Sequence, residues 1–242
     1  MLVDLKHRSQ EKELMDSLSI AENELKIALT DISRVNTMLG GNSITINAIR
    51  KLIKKSSKNE FVILDLGCGD GEMLRNIAKS FRKQKRKVKL IGIDLNGQSL
   101  EYAKELSVNF PEITFYKQDI LEVDKEKFGC DIIVCTLTLH HLTCEEIKKV
   151  LLKSVKLASI GIVINDLQRS ALAYYLFRLF SFFFIKGYIA KNDGLVSIKR
   201  GFTKRELIGY ATTIKLKKYH IDWKWAFRYR WIIKTNHTSN KK

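Results

Sequence analysis

The stretch from Phe61 to Asp166 constrains this chain more than any other, because short apolar runs alternate there with segments of helical periodicity. FVILDL, VKLIGID, ITFYKQD, CDIIVCTLTL and IGIVIND read as strands. GEMLRNIAKSF, QSLEYAKEL and EEIKKVLLKSV, which fall between them, read as helices. Strands joined by helices of this length close βαβ units, so the pattern predicts an α/β fold with a parallel sheet covered on both faces. Thr143 with Glu146, and Thr203 with Glu206, have the spacing of capping boxes and mark two helix starts.

Two closing runs, KLKKYHIDW and AFRYRWIIKT, are close enough in sequence to pair antiparallel at the sheet edge. Before the first strand, residues 12–38 carry Leu14, Leu18, Ile20, Leu25, Ile27, Leu29, Ile32 and Val35 at mixed three- and four-residue spacings, which predicts one or two amphipathic helices stopped by Gly40 and Gly41. ITINAIRKLIKK predicts a second short helix. Pro111 is the single proline, so no proline-rich linker divides the chain. We therefore expect a helical cap over residues 1–58 and one α/β domain over 59–242.

Cys68, Cys130, Cys135 and Cys144 form no C-x-x-C pair and have no histidine at zinc-finger spacing, so buried thiols are expected rather than disulfides or a structural metal. The charged opening MLVDLKHRSQEKEL lacks the apolar core of a signal peptide, which places the expected location in the cytoplasm.

LDLGCGDGEML, residues 64–74, narrows the ligand. A dinucleotide turn reads G-x-G-x-x-G, but counting from Gly67 the sixth position is Glu72, and the run is G-x-G-x-G. Asp65, Asp70 and Glu72 crowd the place where a pyrophosphate would sit, and they would repel it. They suit a ligand that presents an ammonium and a sulfonium, as S-adenosylmethionine does. Asp94 at the end of VKLIGID can accept from both ribose hydroxyls. Asp119, in QDI, can receive an adenine amino group beside the backbone of Ile120. Singly, each acid reads as an ordinary strand-end residue; one acid at each successive strand end favours a ligand site.

VILDLGCGDGEML, GIDLNGQSLEYAKE, YKQDI and DIIVCTLTLHHL resemble the successive motifs of class I S-adenosylmethionine-dependent methyltransferases, in particular the small-molecule branch that includes the ubiquinone and menaquinone C-methylases. The resemblance covers about residues 60–166. It implies a Rossmann-like, seven-stranded, mostly parallel sheet with an antiparallel edge pair. It further implies that Asp65 and the backbone of Gly67, Cys68 and Gly69 hold the methionine end, Asp94 the ribose, and Asp119 and Ile120 the adenine. Leu95 then packs beside the adenine, and Leu137 or Thr138 lies near the methionine portion.

Methyl transfer from a sulfonium is an in-line displacement, and a base is needed only where the acceptor must lose a proton. His140, His141 and Asp166 follow the fourth and fifth strands and are the candidate base or orienting groups; a packing role for either histidine is as common. A divalent metal is not expected, because Asn165 and Asp166 offer too few oxygen ligands. Residues 167–202 contain LQRSALAYYLFRLFSFFFIKGYIA, too interrupted by Arg178 and Lys186 to span a membrane. We read them as a lid in which Tyr174, Tyr175, Phe177, Phe180 and Phe182–Phe184 line a hydrophobic acceptor pocket, with Arg178, Lys186, Lys199 and Arg200 available to an anionic membrane surface.

Of the net charge of +17, +13 falls in residues 161–242, where 17 Lys and Arg face 4 Asp and Glu. That asymmetry is compatible with a membrane surface, an acidic acyl-carrier protein or nucleic acid. DNA amino-methylating enzymes carry an Asn/Asp-Pro-Pro-aromatic signature that a one-proline chain cannot contain. RNA methylation stays open, since cations interleave with aromatics in YHIDWKWAFRYRW, although an edge hairpin explains that stretch more simply. The sequence thus leads to methylation at oxygen or carbon of a small hydrophobic or aromatic metabolite. RNA methylation and a non-catalytic cofactor-binding subunit are the alternatives.

Overall fold

The computed structural model describes residues 3–17, 20–54 and 56–235. Seven strands form one sheet: β1 (Glu60–Leu66), β2 (Lys87–Asp94), β3 (Ile113–Lys117), β4 (Cys130–Thr136), β5 (Ala158–Leu167), β6 (Tyr219–Lys224) and β7 (Arg228–Lys234). Their spatial order is β3-β2-β1-β4-β5-β7-β6. The first five pair in parallel, and β7 pairs antiparallel with both β5 and β6. The closing hairpin forms as expected, with its second strand inserted next to β5, so β7 is the reversed member and β6 forms the edge.

Helices α1 (Glu22–Met38), α2 (Gly41–Ile53), α3 (Glu72–Lys83), α4 (Gly97–Leu106), α5 (Lys125–Phe128), α6 (Cys144–Leu157), α7 (Ala171–Phe184), α8 (Tyr188–Arg200) and α9 (Lys204–Thr213) complete the described residues. Both capping boxes are present: Thr143 Oγ1 accepts from Glu146 N and Thr203 Oγ1 from Glu206 N, each at 3.3 Å, while the glutamates reach back to the cap N–H groups.

Alternation along β1 splits the core into two layers. Phe61 and Ile63 pack with Ile49 and Ile53 of α2 and Leu74 and Ile77 of α3. Leu64 and Leu66 face the other way, toward Ile147 and Leu151 of α6 and Leu207 of α9. Burying each such side chain is worth about 1.5–3 kcal/mol, which is why the alternation dictates register. Helix α2 belongs to the sheet's covering layer, whereas α1, α7 and α8 gather at the carboxyl ends of the strands.

The N-terminal region departs from the sequence reading. Residues 12–38 contain one helix, α1 (Glu22–Met38), preceded by an extended strap with a single 3-10 turn at Leu14–Asp16; Leu18 and Ser19 lie outside the described residues. The strap has tertiary partners that a free helix would lack. Asp193 of α8 accepts from Leu14 N at 2.8 Å and Met15 N at 2.9 Å. Arg8 donates from Nη2 to the carbonyls of His140 and Leu142 at 3.0 and 3.1 Å.

Candidate active site

The glycine turn between β1 and α3 is shaped by backbone that side chains rarely tolerate. Gly67, Gly69 and Gly71 have φ of 72°, 52° and 74°. At Gly67 the constraint is double, because a Cβ would come within 2.5 Å of Thr138 Cγ2. The turn is tied to β2 by Gly67 N and Cys68 N, which donate to Ile93 O at 2.9 and 3.0 Å. It therefore opens toward the strand ends as a fixed cradle.

Asp94 takes the N–H of Gly69 on Oδ2 and that of Asn96 on Oδ1, both at 2.9 Å. Burial raises its pKa, and those backbone donors offset only part of the rise. Asp65 is more exposed to this effect: its Oδ1 is buried without a hydrogen-bond partner. Burial, followed by the neighbouring Asp94 charge, pushes its carboxyl well above the ordinary range. An orphaned acceptor beside a second acid calls for a cation with N–H donors.

The other two acids of the turn are already engaged. Asp70 Oδ1 accepts from Glu72 N at 2.9 Å, and its Oδ2 accepts from Ser33 Oγ of α1 at 3.0 Å and Arg75 Nη2 at 3.3 Å. Glu72 accepts from Thr37 Oγ1 at 2.6 Å and Asn42 Nδ2 at 2.7 Å. They lash α1 and α2 to the turn.

A cavity of about 810 Å³ opens over these strand ends, at the upper end of the usual size for ligand sites. Its wall includes all ten residues expected to hold the cofactor: Asp65, Gly67, Cys68, Gly69, Asp94, Leu95, Asp119, Ile120, Leu137 and Thr138. Leu95 is 64% exposed, an apolar side chain left open on the cavity wall. Leu137 holds a left-handed backbone, φ 55°, while its N–H donates to Asn165 O at 2.9 Å. A non-glycine residue in that region is strained, and the strain turns the chain off β4 into the cavity.

His140 and His141 also line the cavity, but Asp166 stands behind His140 and is not part of the wall. His140 Nδ1 is 2.7 Å from Asp166 Oδ1, and its Nε2 is 3.3 Å from Glu13 Oε1 of the strap. Burial opposes a charge on His140, but the two carboxylates outweigh it and push its pKa up to about 9. Burial likewise disfavours ionised Asp166 and Glu13, yet the histidines hold both carboxyls below their usual range. His141 stacks on His140 with ring centroids 4.4 Å apart and places Nδ1 3.2 Å from Asp16 Oδ2.

Residues 167–202, expected to form a lid, contain two helices, α7 and α8. Ala173, Leu176, Phe177 and Phe180 of α7, with Gly194 and Ile198 of α8, line the cavity. Phe182 and Phe183 do not; they are 74% and 68% exposed because the helix turns them away from the sheet. The basic residues of the lid also divide. Arg178 and Lys186 are exposed, Lys199 pairs with Glu11, and Arg200 is buried, donating from Nε to His140 O at 2.9 Å.

Sequence reasoning missed Glu13, Ser33 and Arg228. Arg228 of β7 is buried on the cavity wall, and burial, only partly countered by Asp166 and Glu72, lowers its pKa to about 10. Its place beside the site follows from the insertion of β7 next to β5, which no local pattern announces.

Residues 63–159 match the family described as "Methyltransferase domain". No curated protein sequence gives a significant match. Among solved structures, the plantazolicin methyltransferase BpumL in complex with SAH is similar at 17% identity and a TM-score of 0.65, over 88% of this chain and 96% of that one. The magnesium protoporphyrin IX methyltransferase ChlM from Synechocystis PCC 6803 with bound SAM is similar at 12% identity and a TM-score of 0.56, over 84% and 83%. An O-methyltransferase family protein from Burkholderia thailandensis gives 14% and 0.58, over 84% of this chain and 58% of that one. Residues 63–159 thus resemble a methyltransferase domain, and the chain shares the fold of these solved methyltransferases.

Proposed function

We propose that the protein methylates oxygen or carbon of a small lipophilic or aromatic acceptor that it takes up at an anionic membrane surface. One observation carries the reading: the two sides of α7. Its inner side, Ala173, Leu176, Phe177 and Phe180, forms an apolar wall of the cavity, while Leu179, Phe182 and Phe183 are exposed beside Arg178 and Lys186. A water-soluble acceptor would not need so apolar a path, and an exposed apolar helix rimmed by cations suits a lipid interface. Among the described residues no helix is long and apolar enough to cross a membrane, so contact through α7 would be peripheral.

The residues at the strand ends fit the cofactor. S-adenosylmethionine supplies a methyl group already activated on a sulfonium. In our reading Asp65, with its unpartnered Oδ1, receives the ammonium beside the left-handed turn at Gly67. Asp94 keeps acceptor capacity for the ribose, since each carboxylate oxygen has a second lone pair beyond its backbone bond. Asp119, whose Oδ1 accepts from Leu121 N at 2.8 Å, is held ready for the adenine amino group, and Leu95 covers the ring. Phe177 and Phe180 exclude water and orient the acceptor, which is where most of the rate must come from in a displacement of this kind.

The test is transfer of labelled methyl from S-adenosylmethionine to a panel of phenols, quinones and lipids, with and without anionic vesicles. The reading expects an apolar acceptor and stimulation by vesicles. Turnover restricted to polar metabolites or RNA would contradict it.

A further inference from the structure

Three side chains with no part in cofactor binding converge at one point of the cavity wall. Glu13 turns both carboxylate oxygens toward the paired histidines: Oε1 is 3.3 Å from His140 Nε2 and Oε2 is 3.7 Å from His141 Nε2. The far nitrogen of each ring already has its own carboxylate, with His140 Nδ1 2.7 Å from Asp166 Oδ1 and His141 Nδ1 3.2 Å from Asp16 Oδ2. Histidines that bind metals are held this way, one nitrogen ligating while the other donates its N–H to an acid that fixes tautomer and ring angle.

A second observation points the same way. His140 Nε2 is buried and no hydrogen-bond acceptor is aligned with it, although Glu13 Oε1 is within ion-pair distance. Close in distance but misaligned as a hydrogen bond, the two atoms are placed to share a third body. Ligands bound at about 2.0–2.2 Å to a tetrahedral ion stand about 3.3–3.6 Å apart; Glu13 Oε1, which also accepts from Ser197 Oγ at 2.7 Å, stands 3.3 Å from His140 Nε2, and one ligand atom from each of the three residues lies within 4.8 Å of the others. The scaffold is rigid: Arg8 and Arg200 donate to the carbonyl of His140 at 3.0 and 2.9 Å and so fix the histidine loop.

We infer that Glu13, His140 and His141 bind a divalent transition-metal ion at the acceptor end of the cavity. Two imidazoles and a carboxylate favour zinc or a neighbouring first-row ion over magnesium, which prefers an all-oxygen shell. Three protein ligands leave a coordination position open, and all three residues line the cavity. An acceptor hydroxyl placed there would be polarised toward loss of its proton, and a carbonyl toward loss of the proton on its adjacent carbon. This use of the ion rests on the methyl-transfer reading above; the ion site itself does not.

The test uses the full chain, stripped with a chelator and titrated calorimetrically with Zn²⁺, Co²⁺ and Mg²⁺. The site predicts saturable binding of one Zn²⁺ or Co²⁺ per chain, with a visible cobalt spectrum of tetrahedral type, and much weaker Mg²⁺ binding. E13Q and H141A should each weaken Zn²⁺ at least tenfold, while H220A, which alters an exposed ring on β6, should leave it unchanged. Circular dichroism and S-adenosylhomocysteine affinity check that each variant is folded. His141 is partly exposed, so H141A carries the test if E13Q unfolds. No saturable Zn²⁺ or Co²⁺ binding, or binding that H141A leaves intact, would overturn the site and reduce the cluster to imidazole–carboxylate ion pairs. Cofactor affinity in the stripped protein reads the methyltransferase assignment separately.

Discussion

Arg169 and Glu206 meet in two parallel hydrogen bonds, Nη1 to Oε2 at 3.0 Å and Nη2 to Oε1 at 2.7 Å. The same guanidinium donates from Nε to Leu5 O at 3.0 Å and from Nη1 to Gly201 O at 2.7 Å. One buried cation thereby joins the strap, the end of the lid and the start of α9. The strap carries Glu13 into the cavity, so this pair helps hold the site's shape from outside it.

E206Q should cost about 1.5–3 kcal/mol of stability, the usual scale for a hydrogen bond to a charged group. The effect should depend on pH. Burial pushes the Glu206 carboxyl up, but the bonds from Arg169 and Thr203 outweigh it and hold the folded-state pKa below the ordinary 4.5. The stabilisation is then present above the unfolded value and is lost as pH falls through the folded one. Urea unfolding of both proteins from about pH 7 to pH 3 should show their stabilities converging toward the acid end. A constant gap would contradict this.

Asp65 should behave in the opposite sense. Its raised pKa means that ionising it in the empty cavity is unfavourable, and a bound ammonium would reverse that. Cofactor binding should therefore release protons and tighten as pH rises. Calorimetry in buffers of different ionisation enthalpy measures the release. D65N should abolish binding while leaving the melting temperature unchanged or higher, because a buried acid without a partner is replaced by a neutral amide. A fall in melting temperature, or proton uptake on binding, would count against the assignment.

Much of this was written locally in the chain. The strands, both capping boxes and the acids at 65, 94 and 119 are set by patterns a few residues long, and the structure brings all three acids to one cavity. What was illegible was long-range. Glu13 meets His140 across 127 residues because Asp193, Arg8 and Arg200 pin the strap, and an apolar pattern over residues 12–38 cannot express that. The aromatic run at Phe182–Phe184 looked like pocket lining because periodicity does not say which side of a helix meets the sheet. Burial does: Ala173 is enclosed, while Phe182 is not.

The outer face of α7 gives a third expectation. F182S/F183S should leave cofactor affinity unchanged, since neither side chain lines the cavity, and should weaken binding to anionic phospholipid vesicles on the order of tenfold or more. Burying one phenylalanine is worth about 1.5–3 kcal/mol, enough for an effect of that size. Co-sedimentation with vesicles decides it, and equal sedimentation of the two proteins would argue that α7 meets something other than lipid.

The cofactor site itself is tested most directly by calorimetric titration of the wild-type chain and D94A with S-adenosylhomocysteine. The wild type should show one saturable site per chain, and D94A an affinity at least about tenfold weaker, a difference of about 1.4 kcal/mol or more. Absence of binding to the wild type, or equal affinity in the two proteins, would contradict it.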